Sequence, residues 1–171
     1  LPEWVWDDPE ELTCETDRLI PSAPNQLSNN LSLFAPEKTD KFLRGRIIHS
    51  LLQILPIVST EKRWNLAKKY LLDEYPKLDN EQKDEYITTA LKVINFPCLS
   101  KIFSGNAFVE APLNGTVKED GIDREVMARV DRLVVLDKEV IIADFKTDKR
   151  PPKKFDDIEE TYKTQMNIYY K

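Results

Sequence analysis

The sequence is poor in cysteine, on which domains stabilised by disulfides or by a structural metal ion depend. It has only two cysteines, Cys14 and Cys98, in 171 residues. Because they are few and far apart, they provide neither a disulfide framework nor a four-cysteine metal site. We therefore expect two free thiols in a reducing cytoplasm. No run approaches the roughly 20 apolar residues of a membrane-spanning helix, so a membrane is not expected among the partners.

Excess positive charge and phosphate-binding loops are also missing. A net charge of −5 argues against a protein that holds nucleic acid by its overall positive field. It leaves room for a nuclease site, in which metal ions supply the local positive charge. None of the four glycines precedes a Lys-Ser or Lys-Thr pair, which excludes a P-loop. With no G-x-S-x-G motif and a single histidine, His49, a Ser-His-Asp hydrolase is not supported.

The first half of the chain combines a proline-rich start with amphipathic segments. Prolines scattered among acidic and polar residues predict an extended linker arm over residues 1–38. Apolar residues at helical spacing predict helices over residues 40–56, 59–75 and 79–96, the last beginning with a capping-box pattern. Four large side chains of these helices are interpreted as core packing: Trp64, Tyr70, Tyr86 and Phe96.

The second half has the composition of strands followed by a helix. Residues 108–111 predict a strand, Asn114-Gly115 a turn with a short return strand, and residues 118–125 a charged loop. A last helix is predicted from about Glu159. The divisions that we expect are a linker arm at residues 1–38 and one domain at 39–171, with a helical part at 39–105 and an α/β core at 106–171. We expect the sequence to be a piece of a larger protein, with the last helix cut at Lys171.

The most informative stretch is the apolar run RVDRLVVLDKEVIIADFKT, residues 129–147. It predicts two strands joined by a tight turn at Asp137-Lys138, apolar on both faces, as in central strands covered on two sides. With a two-residue turn, Asp131 lies directly opposite Asp144, with Cβ atoms ~4.5–5.5 Å apart. Side chains alternate along a strand, so Lys146 points to the same side as Asp144.

Two opposed carboxylates on an apolar hairpin are costly, because they repel each other and lose their hydration. A divalent cation that bridges them would remove this cost, which makes the hairpin a candidate metal site with Lys146 beside it. The alternative is a solvated strand end, in which both carboxylates pair with Arg129, Arg132 or Lys146. The hairpin alone does not decide between these interpretations.

Polar side chains elsewhere are further candidates for the site. His49 lies opposite the apolar stripe of its helix, either as an exposed surface residue or as a metal ligand, with Gly45 one turn earlier allowing close approach. Gln165 and Tyr169, four residues apart, bring their polar ends together on the last helix. The loop after the hairpin is basic and either holds a phosphate backbone or is a solvated turn. Its basic residues are Lys149, Arg150, Lys153 and Lys154.

In order, these pieces are Gly45-x-x-x-His49 on a helix, Asp131 on a strand, Asp144-Phe-Lys146 on its partner and Gln165-x-x-x-Tyr169 on a helix. This order resembles the RecB-like branch of the PD-(D/E)xK nuclease superfamily over roughly residues 40–171. With its proline-rich lead, the chain is similar to the C-terminal nuclease domain of AddA-type subunits of bacterial AddAB helicase–nucleases. The resemblance implies an α/β fold with a restriction-endonuclease-like core, a small mixed sheet flanked by helices, and an N-terminal helical part.

The resemblance also implies roles for the residues. His49, Asp131 and Asp144 match the metal ligands, together with the backbone carbonyl of Phe145. Lys146 matches the catalytic lysine, and Gln165 and Tyr169 match the motif that positions the substrate strand and Lys146. Carboxylates suit Mg²⁺, and the histidine makes Mn²⁺ easy to accept. The expected DNA contacts are Arg46, Arg129, Lys149, Arg150, Lys153 and Lys154.

The expected function is metal-dependent hydrolysis of DNA during double-strand break repair. The implied partners are a single DNA strand delivered from a duplex end, a helicase domain of the same chain and an AddB-type subunit. ATP would belong to the helicase part alone, and the complex would act in the bacterial cytoplasm. Two alternatives stay open: a catalytically silent DNA-guiding or subunit-docking domain of the same fold, and a stand-alone repair endonuclease.

Overall fold

The computed structural model describes residues 18–19, 21, 36–105, 107–119, 121–148 and 150–170. Its elements are β1 (Arg18–Leu19), α1 (Pro36–Ile54), α2 (Thr60–Glu74), α3 (Asn80–Ile94), β2 (Ala107–Glu119), β3 (Ile122–Val135), β4 (Val140–Ala143) and α4 (Glu160–Tyr170). Short 3₁₀ turns lie at Pro97–Leu99 and Phe155–Asp157. Most of the expected linker arm lies outside the described residues, although α1 begins within it at Pro36. The division between residues 38 and 39 stays a prediction. None of the helices in the described ranges combines the length and apolar character needed to cross a bilayer.

The helices α1, α2 and α3 pack around one apolar core. Its side chains are Ile47, Ile48, Leu51, Leu52, Leu55, Ala67, Leu71, Tyr86, Ile87, Ala90 and Ile94. The predicted capping box is confirmed at the start of α3, where the Gln82 amide donates to Asp79 at 2.7 Å and the Gln82 side chain accepts from the Asp79 amide. Trp64 and Phe96, predicted as core, are 37% and 55% exposed. They lie near the start of α2 and beyond the end of α3, outside the packed faces.

The end of α1 is fixed by a guanidinium from the sheet. α1 has no basic residue in its own last turn. Arg132 of β3 donates to the carbonyl of Leu52 at 2.8 Å and to that of Gln53 at 3.5 Å. The last carbonyls of a helix have no partner within it and carry partial negative charge. The buried guanidinium of Arg132 therefore ties α1 to β3.

β3 is the central strand of a small mixed sheet. β2 pairs with it antiparallel along its length, β4 pairs antiparallel with its end, and β1 pairs parallel near its start. This confirms the predicted α/β class with a small mixed sheet flanked by helices. The face of Val130, Arg132 and Val134 is buried. The opposite face carries exposed Phe108 and Val135, so the described residues leave this face open toward the β3–β4 turn, whereas cover on both sides was expected.

The β3–β4 hairpin has the predicted register. The amide of Leu136 donates to the carbonyl of Glu139 at 2.9 Å across the two-residue turn, and β4 continues in the same register. One pair beyond the end of β4, this register sets Asp131 opposite Asp144. The positions of the two carboxylates therefore follow from the length of a turn.

The hairpin formed by β2 and β3 differs from the prediction. β2 continues through Asn114-Gly115, where a turn was expected, and the real turn lies within residues 118–125, expected as a charged loop. Glu119 pairs with Ile122, and Gly121 has φ +83°, a conformation that favours glycine. A turn at this point lets the whole of β2 pair with β3, which a turn at Asn114-Gly115 would prevent.

Candidate active site

The side chains singled out from the sequence meet where α1, the end of the β3–β4 hairpin and α4 come together. Nδ1 of His49, on α1, lies 3.3 Å from Oδ1 of Asp131, on β3. Oδ2 of Asp131 accepts a hydrogen bond from the backbone amide of Phe145 at 2.5 Å. The His49 side chain is 28% exposed and that of Asp131 is 14% exposed. His49 is therefore not the exposed surface histidine of the alternative interpretation.

The second carboxylate is held by α4. Oδ1 of Asp144 accepts a hydrogen bond from Nε2 of Gln165 at 3.2 Å, and the same nitrogen lies 2.8 Å from the hydroxyl oxygen of Tyr169. Gln165 is buried, so packing as well as hydrogen bonding fixes its amide. The buried Oδ2 of Asp144 forms an ion pair with Nζ of Lys146, without hydrogen-bond geometry. The two oxygens of Asp144 thus have separate partners.

Ring contacts hold Phe145 between the two carboxylates. Its ring stacks on Phe103, with 5.7 Å between centroids and 5° between planes. The guanidinium of Arg132 lies 4.9 Å from the centroid of the Phe103 ring. The imidazole of His49 and the Phe145 ring are nearly perpendicular, at 83°, with 6.2 Å between their centroids. This stack fixes the backbone whose amide binds Asp131, and the sequence reasoning assigned no such role to Phe103 or Arg132.

α1 approaches the end of the hairpin closely at Gly45. A Cβ atom at this position would lie 2.8 Å from Oγ1 of Thr147. Beside it, Nη1 of Arg44 donates to the carbonyl of Thr147 at 2.9 Å, and Arg44 also pairs with Glu85 of α3. Since His49 follows one turn later, these contacts set its distance from the hairpin.

The charges of the site shift the pKa values of its groups. The hydrogen bond with Asp131 raises the pKa of His49, which burial opposes. Burial acts to raise the pKa of Asp131, but the hydrogen bonds from His49 and from the Phe145 amide outweigh it, and that pKa is lowered. Burial, and then the charges of Asp144 and Asp131, raise the pKa of Tyr169. Asp131 is therefore ionised at neutral pH, and Tyr169 keeps its proton.

Glu110, on β2, has an unusual backbone conformation beside the site. Its φ of 50° is uncommon for a residue other than glycine, and it interrupts the pairing of β2 with β3 next to Asp131. Its Oε1 accepts a hydrogen bond from Nε2 of Gln53 at 2.5 Å. Strain of this kind persists only where the surrounding structure holds it. The sequence does not predict this strained backbone conformation, because nothing distinguishes Glu110 from any other glutamate in a strand.

The residues expected to contact DNA are exposed and lie outside this network. Those with described side chains are Arg46 on α1, Arg129 on β3, and Arg150, Lys153 and Lys154 in the loop before α4. Lys149 lies outside the described residues. Their exposure leaves them accessible to a polyanion, and their role stays a prediction.

The donors of the site are paired with protein groups. His49 and Asp131 face each other, while Asp144 is bound by Lys146 and Gln165. Accordingly, among the described residues, no group of three or more His, Cys, Asp or Glu side chains is arranged to hold a metal ion. Any metal would have to replace some of these contacts.

Comparisons with known proteins identify the family. No curated protein matches the chain. The profile of the PD-(D/E)XK nuclease superfamily matches residues 26–171, which include every residue of the network. Members of this superfamily are typically metal-dependent nucleases, and the α/β arrangement is the restriction-endonuclease-like fold that was expected. The chain belongs to the PD-(D/E)XK nuclease superfamily.

Proposed function

We propose that this chain is a divalent-metal-dependent deoxyribonuclease, the nuclease domain of an AddA-type helicase–nuclease in the RecB-like branch of its superfamily. The main support is one network around Lys146 that joins residues of α1, β3 and α4 with the segment that follows β4. It comprises His49, Asp131, Asp144, Phe145, Lys146, Gln165 and Tyr169. Membership of the superfamily supports nuclease chemistry in general. The histidine on α1 and the Gln-Tyr pair on α4 support the branch.

The donor set fits a hard divalent cation such as Mg²⁺ or Mn²⁺. Two carboxylates, an imidazole and a backbone carbonyl are ligands that these ions accept. Oδ2 of Asp144 is buried, accepts no hydrogen bond from the described residues and is offset only by the ammonium of Lys146 there. A buried carboxylate oxygen in this state is costly without a cation. We propose His49, Asp131, Asp144 and the carbonyl of Phe145 as the ligands.

The residues around the metal site divide the chemistry of hydrolysis. When bound, the metal supplies positive charge at the scissile phosphate and lowers the pKa of the attacking water. Lys146, released from Asp144, orients this water or stabilises the negative charge that grows on the phosphate. Gln165 holds Oδ1 of Asp144, and Tyr169 holds Gln165, so the carboxylate keeps its orientation. The attacking water gives up a proton to solvent as its oxygen adds to phosphorus, the phosphorus–oxygen bond to the leaving part of the strand breaks, and the leaving oxygen takes up a proton from solvent.

The substrate and partners follow from the same assignment. We propose that a helicase domain of the same chain, which consumes the ATP, delivers a single strand from a duplex end during recombinational repair in the bacterial cytoplasm. An AddB-type subunit would complete the complex, and residues 1–38 would link the domain of residues 39–171 to the helicase. Because the chain has a net charge of −5, its grip on DNA depends on local basic groups such as Arg150 and Lys154.

The test is degradation of an end-labelled single DNA strand with Mn²⁺, Mg²⁺ or EDTA. We expect cutting that requires a metal, and a loss of at least about 100-fold in Asp144→Ala and Lys146→Ala. The matched controls are Asp137→Ala and Lys138→Ala, the same residue types in the exposed turn at the other end of the hairpin. Cutting that survives in Asp144→Ala, or falls equally in the controls, would show that this site is not the nuclease.

The alternative function is a catalytically silent DNA-guiding or subunit-docking domain of the same fold. It is favoured by one observation, that the described residues contain no ready-made group of three metal-binding side chains. Calorimetric titration with Mn²⁺ separates the two. If wild type binds Mn²⁺ through Asp144 but does not cut, its nuclease activity requires the helicase domain and the partner subunit. If wild type neither binds Mn²⁺ nor cuts, the chain is the silent domain.

A further inference from the structure

The ammonium of Lys146 has a second neighbour, to which the mechanism above gives no part. Nζ of Lys146 lies over the face of the Tyr162 ring, 4.9 Å from its centroid. Tyr162 is half-buried on α4, one turn before Gln165, which binds Asp144. One face of α4 therefore contacts both members of the Asp144–Lys146 ion pair.

The ring of Tyr162 is neutral and suited to a cation. Burial, and then the negative charges of Asp148 and Glu159, raise the pKa of its hydroxyl. The phenol therefore keeps its proton at neutral pH. A neutral aromatic ring attracts an ammonium to its face by its quadrupole, without neutralising the charge.

A lysine that acts on phosphate has to be held in place without losing its charge. The carboxylate that now pairs with Lys146 belongs to Asp144, which is also a proposed metal ligand. Once Asp144 binds a cation, its oxygen no longer holds the ammonium, and the long lysine side chain regains its rotational freedom. The face of Tyr162 competes for neither the metal nor the phosphate, so it holds Lys146 in both situations.

We infer that Tyr162 is a positioning residue, which keeps the ammonium of Lys146 at the reaction centre while Asp144 is engaged by metal. This rests on the proposed nuclease function of Lys146. The attraction of an ammonium to an aromatic face corresponds to a factor of roughly 2 to 30 in an equilibrium constant. Tyr162→Leu should therefore lower kcat by a factor in that range, with little change in KM.

The contact itself is measured by NMR, independently of activity. In wild type, the CεH₂ protons of Lys146, assigned by their loss in Lys146→Arg, should be shifted upfield by the ring. The shift should persist in Tyr162→Phe, disappear in Tyr162→Leu and remain when Mg²⁺ is added. Loss of the shift on adding Mg²⁺ would overturn the inference, because the ring would then not hold the ammonium of Lys146 when the metal is bound.

Kinetics test the consequence. Tyr162→Phe should retain at least about half of the wild-type kcat, because it keeps the ring, whereas Tyr162→Leu should not. The matched control is Tyr170→Leu, which removes an exposed tyrosine from the same helix. Equal kcat in wild type and Tyr162→Leu would overturn the inference and leave the nuclease function standing. If wild type neither cuts nor binds Mn²⁺, the nuclease function fails. Whenever wild type does not cut, the NMR result alone decides whether the ring holds Lys146.

Discussion

Replacing Gly45 with alanine tests whether the close approach of α1 to the hairpin sets the site. The new Cβ atom would lie 2.8 Å from Oγ1 of Thr147 and 4.0 Å from its Cβ. The first distance is far inside van der Waals contact, and the second is an ordinary contact. The hydroxyl oxygen alone therefore causes the conflict, and Thr147→Ala removes it.

Two opposing effects determine the size of the result. Alanine in place of glycine inside a helix stabilises it by about 1 kcal/mol. Forcing an extra carbon into a packed contact costs about 1–3 kcal/mol. We expect Gly45→Ala alone to lower the free energy of unfolding by about 0–2 kcal/mol, but to raise it by about 1 kcal/mol in the Thr147→Ala background. The coupling between the two substitutions is then about 1–3 kcal/mol.

Urea unfolding of wild type, the two single variants and the double variant measures this coupling. Mn²⁺ titration of the same four proteins reports on the site, because a displaced α1 moves His49 away from the hairpin. We expect weaker binding in Gly45→Ala and recovery in the double variant. If Gly45→Ala stabilised the wild-type and the Thr147→Ala backgrounds equally, the Thr147 side chain would be rotating away from the new Cβ atom at no cost. That result would refute the reasoning.

Two further predictions concern strain and capping. In urea unfolding, the free energy of unfolding of Glu110→Gly should exceed that of Glu110→Ala by about 1 kcal/mol. Both variants lose the Gln53 contact, but only glycine adopts φ 50° without strain. Equal free energies of unfolding would contradict the strain at this position. Arg132→Met should lower the free energy of unfolding by about 1–3 kcal/mol, because it leaves carbonyls at the end of α1 unpaired. The control Arg129→Met, at an exposed position of the same strand, should cost at most about 0.5 kcal/mol in the same measurement, and a comparable loss there would contradict the role of Arg132.

Features that depend on short-range geometry were predictable from the sequence. The register that opposes Asp131 and Asp144 follows from a two-residue turn and the alternation of a strand. The capping box at Asp79 follows from two residues three positions apart, Asp79 and Gln82. The proximity of Gln165 to Tyr169 follows from the helical repeat. In each case one local rule determines the relative positions of the groups.

Features that depend on contacts between distant parts of the chain were not predictable in this way. Arg132 was considered as a partner of Asp131, but neighbouring residues of a strand point to opposite faces, and its real partner is a carbonyl 80 residues away. The turn at Gly121 was missed because Asn114-Gly115 has the same local signal, and only the pairing of the whole of β2 decides between them. The strain at Glu110 is held by its surroundings rather than by its own residue type.

The adjacency of Asp131 and Arg132 limits how the length of the chain can vary. One side chain points to the site and the other to the end of α1, so β3 serves two faces with consecutive residues. A single inserted residue that shifted the pairing by one position would exchange these faces, bringing a carboxylate to the helix carbonyls and a guanidinium to the site. Both contacts would be lost in one step. The spacing within β3 is therefore fixed to the residue, whereas the exposed residues 150–154, beyond the site residues that follow β4, tolerate a change in length.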